Sequence, residues 1–310
     1  MKRIGLFILS LMLIVLAAGC ADNKGDREAK GQKLNIVATT TMLRDLVSQI
    51  GGEKVNVVGL MGPGIDPHLY KASAGDVTKM QEADLIVYNG IHLEGKMGEI
   101  FKNLQGNNKE VIAVGEMIDK KKLIASSDSG YSYDPHIWFD VKLWMDAANI
   151  VADKIMDIDA ENKDYYTASR DSYLKELEQL DGYVAERIKE LDAQSRILVT
   201  AHDAFNYFGH AYDFEVRGLQ GISTAAEAGT RDVSKLADYI VEKQIKAIFV
   251  ESSVPAKNVE ALQEAVAARG FQVSIGGELF SDSTGTTGTE QETLIGTVKH
   301  NIDTIVDALK

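Results

Sequence analysis

The sequence holds one cysteine, Cys20, in 310 residues. A lone cysteine near the N-terminus excludes an internal disulfide framework and thiolate metal ligands from the rest of the chain. Aromatic residues are only 7% of the total, and basic residues fall well short of acidic ones, 33 against 46. That balance argues against nucleic acid and anionic substrates as partners; it is compatible with a cation ligand, though by itself it mostly signals solubility. No apolar run reaches the length of about 20 residues that a membrane-spanning helix needs. Catalytic signatures are missing too: there is no HExxH, no Walker loop, no GxSxG, and no GxGxxG after a strand. The stretch Thr284–Thr289 is a Gly/Thr loop, not a phosphate cradle.

The N-terminus supplies the first positive signal. Lys2 and Arg3 precede an apolar run, then Ala17, Ala18 and Gly19, then Cys20. This is the charge–apolar–small order of a secretory leader. Small residues directly before cysteine resemble a bacterial lipobox, in which Cys20 is acylated and becomes the mature N-terminus. Ala17 stands where Leu is more usual, and an ordinary cleaved leader with a chance cysteine is the alternative. Residues 1–19 are read as a signal peptide. Residues 20–32 are almost free of apolar side chains and read as a lipidated tether that cannot build a core.

From residue 33 onward strands and helices alternate. Strand signals fall at 34–38, 55–60, 85–88, 111–114, 197–200, 214–216, 247–250 and 271–273. Helical spacing marks 42–50, 74–81, the region around Trp144–Ile155, 233–243, 259–268 and 294–309. Between the halves lies a long helical pattern, about 161–192, with Leu174, Leu177, Leu180, Val184, Ile188 and Leu191 on one stripe. One long helix joining two lobes is expected, with two ordinary surface helices as the alternative. The fold class is therefore α/β: two lobes, 33–158 and 194–310, each with a mainly parallel sheet flanked by helices, joined by a backbone helix within 159–193. Loops at the carboxyl ends of such strands are where ligands bind.

Four residues in those loops form a candidate metal set. His68 and His136 each end the same tripeptide, Asp66-Pro67-His68 and Asp134-Pro135-His136, where proline stiffens the turn that presents the ring. His202 follows a predicted strand, and Asp282 lies in a loop after the last one. Two candidates come from each lobe, as a cleft would need to clamp a small ion. Imidazole and carboxylate suit zinc, manganese and iron. The bland alternative is that each histidine is only a hydrogen-bonded structural residue. His92 follows a strand and is a weaker candidate; His210 and His300 sit in helix-like surroundings. Asp66, Asp134 and Asp203 flank the histidines and could orient rings or cap turns. Glu227 and Glu251 could approach the cleft, Glu251 at a strand end. Imidazole must be neutral to coordinate, so binding is expected to fail in acid, near the ordinary histidine pKa of about 6.5.

The segments GIDPHLY, YDPHIWFD, VTAHDAFNYFGHAY, VRGLQGISTAAEAGTRD, IFVESSVP and GGELFSDSTG resemble the metal-binding lipoproteins of the cluster A-I (cluster 9) ABC receptor family. The likeness is greatest to manganese-binding lipoproteins of Gram-positive bacteria and the related treponemal receptor. It covers nearly the whole chain after the tether. The resemblance implies an ion at the interface of two α/β lobes, with ligands at His68, His136, His202 and Asp282. It implies a monomeric, membrane-anchored receptor outside the cytoplasm that serves an ABC permease and its ATPase, binds no nucleic acid, and is not an enzyme. Many manganese members carry Glu where this chain has His202, which bears on the metal. Manganese is favoured, because many zinc members carry a His-rich loop between the first two ligands and no histidine occurs here between His92 and His136. A zinc receptor is the alternative. A metallohydrolase using the three histidines is disfavoured, because Asp282 would take the position that catalytic zinc leaves open for water.

Overall fold

A computed structural model describes residues 33–126 and 130–310. The leader, the tether and Cys20 lie outside the described residues.

The N-terminal lobe is built on four strands: β1 (Leu34–Ala38), β2 (Val55–Gly59), β3 (Leu85–Tyr88) and β4 (Val111–Ala113). All pair parallel, in the order β2-β1-β3-β4. The inner strands read as apolar runs because helices cover both faces. Helix α1 (Thr41–Gly51) follows β1, and Thr40 caps it by accepting from Leu43 N at 3.3 Å. Helix α2 (Ala74–Glu82) starts in a capping box formed by Ser73 and Asp76. Helices α3 (Gly98–Gly106) and α4 (Val114–Met117) are short additions between and after β3 and β4 that the sequence signals did not mark. Helix α5 (Val141–Ile158) closes the lobe. Asp140 Oδ1 caps it, accepting from Lys142 N and Leu143 N.

The connection is one continuous helix, α6 (Lys163–Ile188), preceded by a 3-10 turn at Ala160–Asn162. Tyr166, Tyr173, Leu177, Leu180, Val184 and Ile188 are its buried stripe. Gly182 does not break it: a Cβ there would meet nothing, so the cost is only the weaker helix propensity of glycine. The helix packs on α5 and α1 at one end and on the last helix of the chain at the other.

The C-terminal lobe has two parallel pairs, β5 (Ile197–His202) with β6 (Glu215–Gln220), and β7 (Ala247–Glu251) with β8 (Ser274–Leu279), and β5 runs beside β7. Helix α7 (Asn206–Tyr212) follows β5, α8 (Thr230–Lys243) follows β6, α9 (Lys257–Ala267) follows β7, and α10 (Leu294–Leu309) ends the chain. One expectation needs correction. The last strand is 274–279, not Phe271–Val273, which precede it without strand pairing. Two glycines disguise it. A Cβ at Gly276 would sit 2.7 Å from side-chain atoms of Phe249 and Ala308, so glycine is what lets α10 approach the strand. Gly277 has φ +145 beside a register shift at Ile248/Phe249, a bulge position that favours glycine.

The largest apolar cluster does not stop at the lobe boundary. It runs from Ile36 and Leu46 through Trp144 and Leu177 to Phe205, Phe249 and Ile305. Phe139 and Phe205, one from each lobe, meet with ring centroids 4.2 Å apart. Smaller clusters fill the outer part of each lobe. Among the described residues no helix is long and apolar enough to cross a membrane.

Candidate metal centre

His68 lies on the loop after β2, His136 on the loop leading into α5, His202 is the last residue of β5, and Asp282 follows β8. The fold brings all four together. One donor atom from each lies within 4.8 Å of the others. His68 Nε2 is 3.3 Å from His136 Nε2. Asp282 Oδ2 is 3.9 Å from His68 Nε2 and 3.4 Å from His202 Nε2, and Oδ1 is 3.6 Å from His136 Nε2. Donors bound about 2.1 Å from one ion in a tetrahedral set are about 3.4 Å apart. The observed spacings straddle that value.

The four residues are closed off from bulk solvent. His136 and His202 are 0% exposed, Asp282 1% and His68 3%. Among the described residues, His202 Nε2 and both Asp282 oxygens are buried without a hydrogen-bond partner. Orphaned buried polar atoms are costly, and here they face one another. A cation among them is the economical resolution.

Two rings are held by the same device. Asp134 Oδ1 accepts from both the backbone N–H of His136 (2.9 Å) and its Nδ1 (2.7 Å). Glu251 accepts from His202 N through Oε1 (2.9 Å) and from His202 Nδ1 through Oε2 (2.5 Å). Each carboxylate therefore keeps the proton on Nδ1 and turns Nε2 toward the cluster. Asp66 holds only the backbone: Oδ1 accepts from His68 N at 2.8 Å, while Oδ2 accepts from Thr224 Oγ1 at 2.5 Å across the cleft. Burial raises the pKa of Asp66 and of Asp203.

The remaining candidates stand apart from the cluster. His92 is exposed, with its ring against Tyr131. His210 lies exposed on α7, and His300 is half-buried on α10, where its Nε2 meets Glu278 O. Glu227 is exposed, 3.8 Å from Lys257. Sequence reasoning missed several supports. Asn89 Nδ2 donates to Pro135 O (3.0 Å), Asn206 Nδ2 to Asp134 Oδ2 (3.0 Å), Tyr207 OH to Asp134 O (2.9 Å), and Trp138 Nε1 to Ser281 O (2.9 Å).

The histidines differ electrostatically. Burial pushes His68 down to about 3, so it is neutral throughout the physiological range. Burial acts downward on His202 as well, but the carboxylates of Glu251 and Asp282 outweigh it and hold the imidazole well above its ordinary value. Burial would raise Asp282, yet the charge on His202 holds it below the usual carboxylate range. With no cation bound, the favoured form at neutral pH carries a proton on His202 Nε2. A metal ion must displace that proton. Affinity should therefore decline with falling pH already across neutrality, below the raised pKa of His202, and His68 should add no proton competition until far stronger acid. Calorimetry at pH 7 in two buffers of different ionisation enthalpy is expected to give about one proton released per ion bound. Zero release would show His202 already neutral and this account wrong.

Residues 36–308 match the family model described as zinc-uptake complex component A, periplasmic. The chain is 49% identical over 284 residues to the zinc-binding protein TroA of Treponema pallidum, covering 92% of this chain and 91% of that one. It is 43% identical over 308 residues to the manganese-binding lipoprotein MntA of Bacillus subtilis, covering 99% and 100%. The solved structure of periplasmic zinc-binding TroA superposes with a TM-score of 0.87, covering 90% of this chain and 99% of that one. The match spans both lobes and all four clustered residues, and the chain belongs to the zinc-uptake complex component A family.

Proposed function

We infer that this chain is an extracytoplasmic receptor that captures one divalent metal ion between its lobes and delivers it to the permease and ATPase of an ABC importer. The observation that carries the reading is the buried convergence of His68, His136, His202 and Asp282, which we assign as the ligands. Asp134 and Glu251 orient two of the rings. The lobes are divided as 33–158 and 194–310 about the helical segment 159–193. The chain is a receptor rather than a catalyst. Its fourth protein ligand takes the position that catalytic zinc keeps for water, and relatives are named as binding proteins and lipoproteins.

Manganese is the favoured cargo. Asp282 turns one oxygen toward His136 and the other toward His68 and His202, so the site offers up to five donors, more than tetrahedral zinc takes. The relative from Bacillus subtilis is named manganese-binding. Zinc is the second reading, favoured by the name of the treponemal relative and by near-tetrahedral donor spacing. Zinc stands above manganese in the affinity order for such donors, so tight zinc binding in a purified sample does not decide between them. Growth does. Deleting the gene is expected to impair growth in manganese-poor medium, manganese should restore it, and excess zinc should worsen growth in strains that keep the protein. Restoration by zinc but not manganese would overturn the manganese assignment.

Anchoring rests on Cys20, which we assign as the acylated residue after leader cleavage. Cys20→Ser should move the protein from the membrane fraction to the soluble or secreted one. Unchanged membrane fractionation would refute the assignment.

A further inference from the structure

Asp282 differs from the two best-held histidines in one respect. A carboxylate grips each of those rings from behind, whereas among the described residues neither oxygen of Asp282 has a hydrogen-bond partner. The placement of this carboxylate therefore depends on the backbone that carries it.

That backbone is fastened to the opposite lobe. Thr284 N donates to Thr41 Oγ1 at 2.7 Å. Ser281 O accepts from Trp138 Nε1 at 2.9 Å, and Ser283 Oγ accepts from Gly64 N at 2.9 Å. Within its own lobe, Ser281 Oγ bonds Ser253 Oγ at 3.0 Å, and Asn301 brackets Phe280 just upstream. Three of the four residues 281–284 thus bond to groups of the N-terminal lobe. Thr41 is the first residue of α1 and is 1% exposed; Thr284 is 0% exposed. Asp45, one turn further along the same face of α1, accepts from Leu294 N at 2.8 Å. Helix α1 therefore holds both ends of the connection from the metal centre to α10.

Helix capping does not account for the Thr41 hydroxyl, because Thr40 is the residue whose side chain caps α1. Among the described residues, the other hydrogen bond of Thr41 Oγ1 is to Met42 Sδ at 3.4 Å, a weak acceptor.

We propose that Thr41 is a positioning residue for Asp282: a hydroxyl on the N-terminal lobe fixes the segment that brings the C-terminal lobe's carboxylate to the ion. The proposal rests on Asp282 being a ligand. Without the hydroxyl, the buried Thr284 N–H loses its acceptor, the segment relaxes, and the carboxylate no longer meets the three imidazoles in register.

The test uses the mature full chain with Mn²⁺ for affinity and Co²⁺ as a spectroscopic probe of coordination geometry. Thr41→Val keeps the shape and removes the acceptor. Thr41→Ala removes it with no added bulk and covers a folding failure of the valine variant. Each is expected to weaken Mn²⁺ binding about tenfold, the lower end for groups that orient ligands. Each should also shift the Co²⁺ absorption toward that of Asp282→Ala while circular dichroism stays native. Thr41→Ser, which restores a hydroxyl, should recover most of the loss. Wild-type affinity and an unchanged Co²⁺ spectrum in the valine and alanine variants, with binding lost in Asp282→Ala, would overturn the role of Thr41 and leave the ligand set standing. Wild-type affinity in Asp282→Ala would remove the ligand assignment itself.

Discussion

Asp282→Ala is expected to weaken binding of both Mn²⁺ and Zn²⁺ by about a thousandfold, close to 4 kcal/mol. Asp282 is the one anionic member of the four, and it faces all three imidazoles. Removing one partner from a buried charge pair costs about 3–5 kcal/mol, and here the pair would be a carboxylate and a divalent ion in a pocket closed off from bulk solvent. An opposing effect exists. Loss of Asp282 removes one of the two carboxylates that hold the proton on His202, so proton competition at neutral pH eases. That relief does not replace a direct anionic ligand, and the loss should dominate. Calorimetry with a competing chelator reads the result. A Kd within tenfold of wild type for both ions would show that the carboxylate is not in the coordination sphere.

Trp144→Ala should be the most damaging single change away from the site. Trp144 is fully buried on α5, and its Nε1 donates to Tyr173 OH on α6 at 3.2 Å. Truncating a buried tryptophan to alanine costs about 3–5 kcal/mol, through lost transfer energy and the cavity left behind. It also strips a partner from Tyr173, 2% exposed. A chain of this size loses roughly 2–4 °C of Tm per kcal/mol, so melting should fall by about 10 °C. Trp144→Phe, which fills most of the space, should lose less. A Tm within a degree or two of wild type for Trp144→Ala would show that this part of the core closes around the gap.

Much of the fold was legible because local signals and tertiary demands agree. The apolar runs of β1 and β3 and the 3.6-residue period of α10 emerge with the boundaries their patterns give. Elements whose identity depends on distant neighbours were not legible. Strand β8 carries two glycines because α10 leans on it, and nothing in its local sequence announces that helix. Helix α3 buries only Phe101 and Leu104, too few positions to establish a period. The site divides in the same way. His68 and His136 declare themselves by a repeated tripeptide, and His202 by following a strand signal at 197–200. Asp282 stood out mainly through the family resemblance. The supporting hydrogen bonds from Asn89, Asn206 and Thr224 span 46, 72 and 158 residues, and no local pattern encodes a partner so far along the chain.

The apolar cluster shared by the two lobes has a calorimetric consequence. If α5, α6 and α10 cannot separate without exposing one common core, the halves have no independent melting points, and heating should disrupt them together. An ion that binds only the folded chain then raises that single transition as a whole. The gain is about 2.7 kcal/mol when free ion stands at a hundred times Kd, and about 4.1 at a thousand times. The melting curve of this protein is in that sense a gauge of its cargo, and the midpoint climbs with the logarithm of the metal around it.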